Sequence, residues 1–211
     1  MKSEEAGSPR HRVNRRLVLG GFLLLVPAIS ASARSYKEFA ESLVANPPPG
    51  SAFRSDIEGE LLILTNAYRA AKGLSRLAAD EVFLMAARAQ AADMMINNFI
   101  GHRASDGTPF ERRLRALAGN IQRFGTVGEN AARESQKTPV DAAKAAALFQ
   151  QWVDSRPHRA NLKKADYAYL ATGVVQRGNT IWAIQIFRGE ERKGLLFGGA
   201  TINGKAAAPS Q

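Results

Sequence analysis

Three residues capable of metal ligation or acid–base chemistry stand out in this chain: His102, Glu129 and His158. Only three histidines occur among the 211 residues, and the remaining one, His11, lies near the amino terminus. Two neutral imidazoles and a carboxylate suit a divalent metal with an open coordination position, or a base with its orienting partner. The same side chains are also explained, and on spacing alone better explained, as groups that cap helices or bond backbone. Both interpretations stay open, because no His-x-x-x-His pair fixes a local geometry.

Four helices and two strands must position these residues. Apolar residues at three- and four-residue steps predict the helices, and short apolar runs between turn residues predict the strands. The predicted helices are 57–72, 80–98, 110–117 and 138–154, and the predicted strands are 170–175 and 180–187, joined by 176–179. Since the second strand is apolar on both faces, helices must cover the sheet on both sides. The sequence therefore predicts an α+β fold whose three candidate residues lie where elements end.

Residues 1–33 have the pattern of an export signal. A basic stretch at 10–16 is followed by an apolar stretch at 17–29 and by Ala31-Ser32-Ala33, a small-residue cleavage pattern. The adjacent Arg15 and Arg16 also resemble a twin-arginine signal. An apolar stretch of about 13 residues is shorter than the about 20 that span a membrane, so no integral span is expected once the signal is removed. The mature chain is expected to begin near Arg34 and to be periplasmic or extracellular.

The rest of the chain divides into one domain and two flanking segments. Residues 34–54 are predicted to be a linker with a short helix at 36–44, ended by Pro47-Pro48-Pro49. The domain itself is predicted over 55–190. Residues 191–211 are predicted to be a C-terminal extension with a mobile tail rich in Ala, Gly, Pro and Ser.

Composition limits the chemistry and the partners. Hydrophobic residues make up 45% and charged residues 23% of the chain, which argues against a disordered or polytopic membrane protein. Cysteine is absent, so disulfides, thiolate zinc sites, iron–sulfur clusters and cysteine nucleophiles are excluded. The formal net charge is +10. Because an exported chain does not meet nucleic acid, the expected partners for this charge are anionic envelope polymers or lipid headgroups. The alternative, which the composition favours, is a solvated surface rich in arginine without a dedicated polyanion site.

Six short motifs, in order over residues 57–188, resemble the CAP superfamily of cysteine-rich secretory, antigen 5 and pathogenesis-related 1 proteins, in its bacterial SCP-like extracellular form. Six ordered motifs are far more specific than any single one. The motifs are Leu64-Thr65-Asn66-Ala67-Tyr68-Arg69, Phe99-Ile100-Gly101-His102, Gly128-Glu129-Asn130, Trp152 to Leu162, Thr172-Gly173-Val174 and Trp182 to Phe187.

The resemblance implies a three-layer α-β-α sandwich with a small antiparallel sheet and a cleft lined by His102, Glu129 and His158. Eukaryotic members have a second glutamate where this chain has Ser155, and a later histidine in a segment that corresponds to 165–170, which contains none here. The full eukaryotic set of two histidines and two glutamates is therefore absent, and the metal chemistry of those members does not transfer directly.

Two charged residues of the third predicted helix are further candidates. Arg112 is interpreted either as a residue that holds this helix near the cleft or as a solvated side chain. Glu111 is a remote candidate for a second carboxylate, because neighbours in a helix point in different directions.

The expected function is an exported, non-catalytic binding module. His102 and His158 would hold zinc or another divalent cation, with Glu129 as third ligand or as the residue that orients a histidine. Because family members bind lipids and sterols, the resemblance also implies a lipid or sterol ligand. The alternative is a metal-assisted or acid/base hydrolase of envelope peptides or polysaccharide, with Glu129 as general base. A third interpretation, an adhesive or structural envelope protein, needs no site.

Overall fold

A five-stranded sheet forms the centre of the molecule, and the computed structural model describes residues 35–191. Four strands follow the order β1-β4-β5-β3, and every neighbouring pair is antiparallel. The short strand β2 pairs with β4 in parallel. The strands are Ser51–Phe53 (β1), Ala78–Ala79 (β2), Val127–Glu134 (β3), Tyr169–Arg177 (β4) and Thr180–Arg188 (β5).

Strands β4 and β5 form the predicted hairpin at the middle of the sheet. They are joined by Gly178 and Asn179, and Gly178 has a φ of 57°, which suits the first position of a tight hairpin turn. Along β5, Ile181 and Ala183 pack into the core on one face of the sheet, while Trp182 and Ile184 pack on the other. The strand is therefore buried on both faces, as its sequence predicts.

Helices cover both faces of this sheet. On one face the core is built around Leu61, Leu148 and Trp152, and on the other around Phe83, Leu114 and Phe124. The predicted α-β-α sandwich with a small antiparallel sheet is confirmed. The helices are Tyr36–Ala45 (α1), Ser55–Ala70 (α2), Leu84–Ile96 (α3), Phe110–Ala118 (α4), Ala142–Asp154 (α5) and Arg156–Leu162 (α6), with a 3-10 helix at Ile121–Phe124.

Helix α3 begins later than the sequence predicts. The expected acidic start at Asp80 lies outside the helix, because its buried carboxylate has two other partners. It forms an ion pair with Arg188 of β5 at 2.8 Å, and it accepts the backbone N–H of Val82 at 3.1 Å. A buried ion pair across the sheet has replaced the expected interaction with the helix dipole.

Helix α5 also begins later than expected, ends at Asp154 as predicted, and is followed by a separate short helix that was not predicted. Asp141 caps the amino terminus by accepting the backbone N–H of Lys144 at 3.0 Å. Ser155, with extended backbone angles, ends α5 and precedes the seven-residue helix α6. His158 therefore lies within its own short helix and not at the end of α5.

The segment predicted to be a linker, 34–54, is part of the folded unit over its described residues. Ser35 and Glu38 form a capping box that starts α1. Tyr36 and Ala40 are buried in a cluster with Ala89 of α3. Helix α3 is covered by the sheet on one side and by α1 on the other. Its Ala-rich sequence therefore lacks a polar face, and a comparison of polar and apolar faces could not predict that α1 packs there.

The predicted export signal, residues 1–33, lies outside the described residues, as does most of the predicted C-terminal extension, 191–211. Within residues 35–191, no helix has both the length and the apolar character needed to cross a membrane.

Candidate functional site

The structure brings His102, Glu129 and His158 together at the β3 edge of the sheet. The Nδ1 atom of His102 lies 2.9 Å from Oε1 of Glu129. The ring centres of the two histidines are 6.2 Å apart, with their planes at 71°. The two rings reach this point from different helical layers, since His102 follows α3 and His158 lies in α6.

Glu129 and Asn130, two adjacent residues of β3, point toward opposite helical layers. Successive side chains of a strand point to opposite faces. Glu129 therefore faces the layer of α3 and α4, whereas Asn130 faces the layer of α2, α5 and α6. The Gly-Glu-Asn motif supplies one polar anchor to each side of the cleft.

Glu129 is held by an arginine that is buried completely. Nη2 of Arg113 donates to both carboxylate oxygens of Glu129, at 2.9 and 2.7 Å, and the Glu129 side chain is only 2% exposed. The backbone carbonyl of Glu129 accepts a hydrogen bond from Asn161 at 3.0 Å. The carboxylate oxygens therefore already accept bonds from Arg113, and Oε1 also contacts His102.

Arg113 is the residue that sequence reasoning missed. The expectation fell on the neighbouring Arg112, but Arg112 is exposed and Arg113 is buried. A signal was present, because Arg113 is three residues after Phe110 and so shares the apolar face of α4. Glu111 is exposed and forms an ion pair with Arg115 at 3.1 Å, so it adds no second carboxylate.

Buried polar side chains clamp the loop that carries His102. Gln90 donates to the carbonyls of the residues before and after His102, at 2.9 and 3.1 Å. Arg113 donates to the carbonyl of His102 itself at 3.0 Å. Asp93 accepts from the backbone and the hydroxyl of Ser105 at 2.7 and 2.6 Å. The loop that carries His102 is thus held by three side chains from helices α3 and α4.

Amide side chains hold the His158 side of the cleft. Asn130 donates to the carbonyl of His158 at 3.4 Å and to Gln185 at 3.2 Å. Asn161 of α6 donates to Oδ1 of Asn130 at 2.9 Å. Gln185 donates in turn to Thr65 of α2 at 2.8 Å. This network is neutral, in contrast to the ion pair beneath His102.

The two imidazoles have opposite protonation tendencies. The hydrogen bond to Glu129 raises the pKa of His102 above its usual value, although burial and the Arg113 charge oppose this. Burial, and then the neighbouring His102, lower the pKa of His158. The cleft therefore favours a proton on His102 over one on His158.

The donor set available to a metal is limited to the two imidazoles. Among residues 35–191, no group of three or more His, Cys, Asp or Glu side chains is placed to hold a metal ion. Glu129 contacts His102 through Nδ1, which leaves Nε2 of that ring for a ligand. The arrangement fits a carboxylate that orients a ligating histidine, rather than a third protein ligand.

Comparison with known proteins identifies the family. The family model described as "Cysteine-rich secretory protein family", CAP, matches residues 62–187. The chain belongs to this family, which confirms the resemblance drawn from the motifs.

Two curated relatives come from Bacillus subtilis (strain 168). "Uncharacterized protein YkwD" is 31% identical over 161 residues, which cover 74% of this chain and 55% of that protein. "Uncharacterized membrane protein YlbC" is 31% identical over 117 residues, which cover 56% of this chain and 31% of that protein. The matches thus span about half or less of the curated relatives' length.

Two solved structures share the fold. An extracellular protein containing an SCP domain from Bacillus anthracis str. Ames has a TM-score of 0.54 at 25% identity, over 64% of this chain and 41% of that chain. An outer surface protein from Borrelia burgdorferi has a TM-score of 0.55 at 17% identity, over 67% of this chain and 99% of that chain. The second likeness concerns the fold alone.

Proposed function

We propose that this chain is an exported, non-catalytic binding module whose cleft holds a divalent cation such as zinc through His102 and His158. The contact between Nδ1 of His102 and Oε1 of Glu129, at 2.9 Å, carries the proposal. A histidine whose Nδ1–H is held by a carboxylate presents Nε2 in a fixed direction, as is usual for metal-ligating histidines. His158 is the second nitrogen donor at the same opening.

Glu129 acts in this proposal as the orienting residue and not as a ligand. Arg113 and His102 already occupy its carboxylate oxygens. Moving the carboxylate onto a metal would leave the guanidinium of Arg113 buried without its counter-ion, which is costly. Water or a bound ligand would complete the coordination.

Protons compete with the metal at His102. A metal binds the neutral ring, and the pKa of His102 is raised by its hydrogen bond to Glu129. His158, with a lowered pKa, is available as a neutral donor. Metal affinity is therefore expected to increase with pH until His102 has lost its proton.

Calorimetric titration of residues 34–211 with zinc tests the proposal. We expect micromolar or tighter binding that disappears in the double variant His102→Ala/His158→Ala. Gln150→Ala, which changes an exposed amide of α5, is the matched control and should bind like the unmodified chain. Unchanged zinc affinity in the double variant, or no binding by the unmodified chain, would refute the metal site.

Export and an envelope ligand belong to the same proposal. The solved neighbours include a protein described as extracellular and one described as an outer surface protein, and the amino-terminal pattern is that of an export signal. The excess of basic residues suits a lipid headgroup or an anionic envelope polymer. Cell fractionation tests the location, and an uncleaved cytoplasmic product would contradict it.

The opposite pKa directions of the two histidines favour a second candidate function, acid/base or metal-assisted hydrolysis of envelope peptides or polysaccharide. Adjacent groups whose pKa values are pushed apart are typical of acid–base pairs. Glu129 as general base fits less well, because its oxygens are already hydrogen-bonded. Activity on peptidoglycan, peptide or ester substrates that is lost in Glu129→Gln would establish it; its absence would exclude this version.

A further inference from the structure

Arg113 uses only one of its three guanidinium nitrogens, Nη2, for hydrogen bonds to the cleft, and the other two form none among the described residues. All its hydrogen bonds to Glu129 and to the carbonyl of His102 come from Nη2. Its Nε and Nη1 atoms are buried and, among the described residues, have no partner of hydrogen-bond geometry. A fully buried guanidinium in this state needs a polar neighbour to keep its position.

Tyr36 supplies that neighbour from helix α1. Its buried hydroxyl also lacks a hydrogen-bond partner among the described residues. Tyr36 lies in a buried cluster with Ala104, two residues after His102, and with Ala116, which follows Arg113 by three residues and so lies on the same face of α4. Burial raises the pKa of Tyr36 to about 12, so the hydroxyl stays neutral and its oxygen can accept from the guanidinium.

The position of Tyr36 is fixed by its helix. It is the first residue of α1, directly after the capping box of Ser35 and Glu38. Its ring packs against Phe39, with ring centres 6.0 Å apart, and only 8% of the residue is exposed. The hydroxyl is therefore held beside Arg113 by a capped and packed helix.

We propose that Tyr36 is a positioning residue of the cleft, which holds Arg113 against Glu129 and thereby fixes the orientation of His102. The support runs from the hydroxyl of Tyr36 through the guanidinium of Arg113 and the carboxylate of Glu129 to Nδ1 of His102. Helix α1 lies before the residues that match the family model, 62–187, so this support is added by the amino-terminal part of the chain. The functional meaning rests on the proposed role of His102 as a ligand.

The neutral tautomer of His102 is the readout that separates positioning from mere stability. With Nδ1–H donating to Glu129, the neutral ring carries its proton on Nδ1. Long-range proton–nitrogen NMR spectra of residues 34–211 at alkaline pH report this directly, and only two histidines, His102 and His158, remain to be assigned. We compare the unmodified chain with Tyr36→Phe, which removes the hydroxyl and keeps the ring.

We expect Tyr36→Phe to raise the ratio of the Nε2–H to the Nδ1–H tautomer of His102 by about threefold or more, the size that loosening one hydrogen bond brings. Tyr68→Phe, which removes a tyrosine hydroxyl from α2, should leave the ratio unchanged. Val44→Ala, which weakens the packing of α1 two turns away from Tyr36, should also leave it unchanged.

Two results would overturn the proposal. One is an unchanged tautomer ratio in Tyr36→Phe, and the other is an equal change in Val44→Ala, which would assign the effect to helix packing. The zinc titration separates this proposal from the proposed function. If the unmodified chain binds no zinc but Tyr36→Phe still shifts the tautomer, the positioning role holds and the metal role fails.

Discussion

The two histidines of the cleft are carried on opposite sides of the same strand and are held by different chemistry. Beneath His102 lie a buried ion pair, Arg113 with Glu129, and the buried carboxylate of Asp93. Beneath His158 lie neutral amides, including Asn130 and Asn161. The carboxylate of Glu129 raises the pKa of His102, whereas the amides hold His158 in position without adding charge, and burial lowers the pKa of that ring. One cleft thus contains two imidazoles whose pKa values are shifted in opposite directions.

The largest expected loss of stability comes from removing the ion pair between Arg113 and Glu129 beneath His102. Arg113→Met leaves Glu129 buried without its counter-ion, so we expect the free energy of unfolding to fall by about 3–5 kcal/mol. Urea titration followed by circular dichroism measures this. Arg112→Met, at the exposed neighbouring position, should change the value by less than about 0.5 kcal/mol. Equal losses in the two variants would show that burial of the arginine does not matter.

A smaller loss of stability is expected when the amide hydrogen bonds beneath His158 are removed. Asn130→Ala removes the bonds to Asn161, Gln185 and the carbonyl of His158. Leaving such buried groups unpaired should cost about 2–3 kcal/mol in urea unfolding. Gln150→Ala is the control. A cost as large as that of Arg113→Met would contradict the distinction between a charged and a neutral side.

A substitution at Gly128 tests how closely the side chains on the His158 side of the cleft are packed. A methyl group at this position would meet the hydroxyl of Tyr167 and Oδ1 of Asn161. Gly128→Ala should therefore destabilise the protein by about 1–3 kcal/mol. Combining it with Tyr167→Phe, which removes the obstructing hydroxyl, should recover part of the loss. No recovery would point to a backbone effect instead.

The smallest effect is the pH dependence of stability, in which the two sides oppose each other. The pKa of His102 is raised in the folded state, so its contribution is full below the unfolded value of about 6.5 and is lost as pH rises through the folded value. The pKa of His158 is lowered, so the protein loses stability as pH falls below about 6.5.

Single variants separate these two contributions. His158→Gln should leave a stability that declines as pH rises above about 6.5, and His102→Gln one that declines as pH falls below it. Urea midpoints measured across this pH range provide the test. The same slope in both variants would contradict the assignment of opposite pKa shifts.

The sequence could single out three candidate residues because they stand in short, ordered motifs. His102, Glu129 and His158 meet as the resemblance implied, although their function stays a prediction. Arg113 was missed, because a charged residue beside two other arginines looks solvated until the helix is placed against the sheet. Its spacing from Phe110 placed it on the apolar face of α4, but its bond to Glu129 depends on tertiary packing that this local spacing does not report.

Strand β3 and helix α1 show the same limit for the fold. Most residues of β3 are Gly, Glu, Asn, Ala and Arg, which have little tendency to form strands, so its pairing with β5 determines its structure. Helix α1 was expected as a short helix, but its docking was not, since α3 offers it only small alanines. By contrast, the β4–β5 hairpin was predicted correctly from apolar runs and a Gly-Asn turn.

The topology of the sheet has a consequence for how the protein folds. The hairpin β4–β5, nearly the last part of the described chain, supplies the two inner strands of the four-strand order, and β1 and β3 attach to it from much earlier positions. Such distant pairings make folding slow, because long loops must close first. A growing chain therefore contains both histidines well before it contains a cleft, and the site is assembled only when its final hairpin arrives.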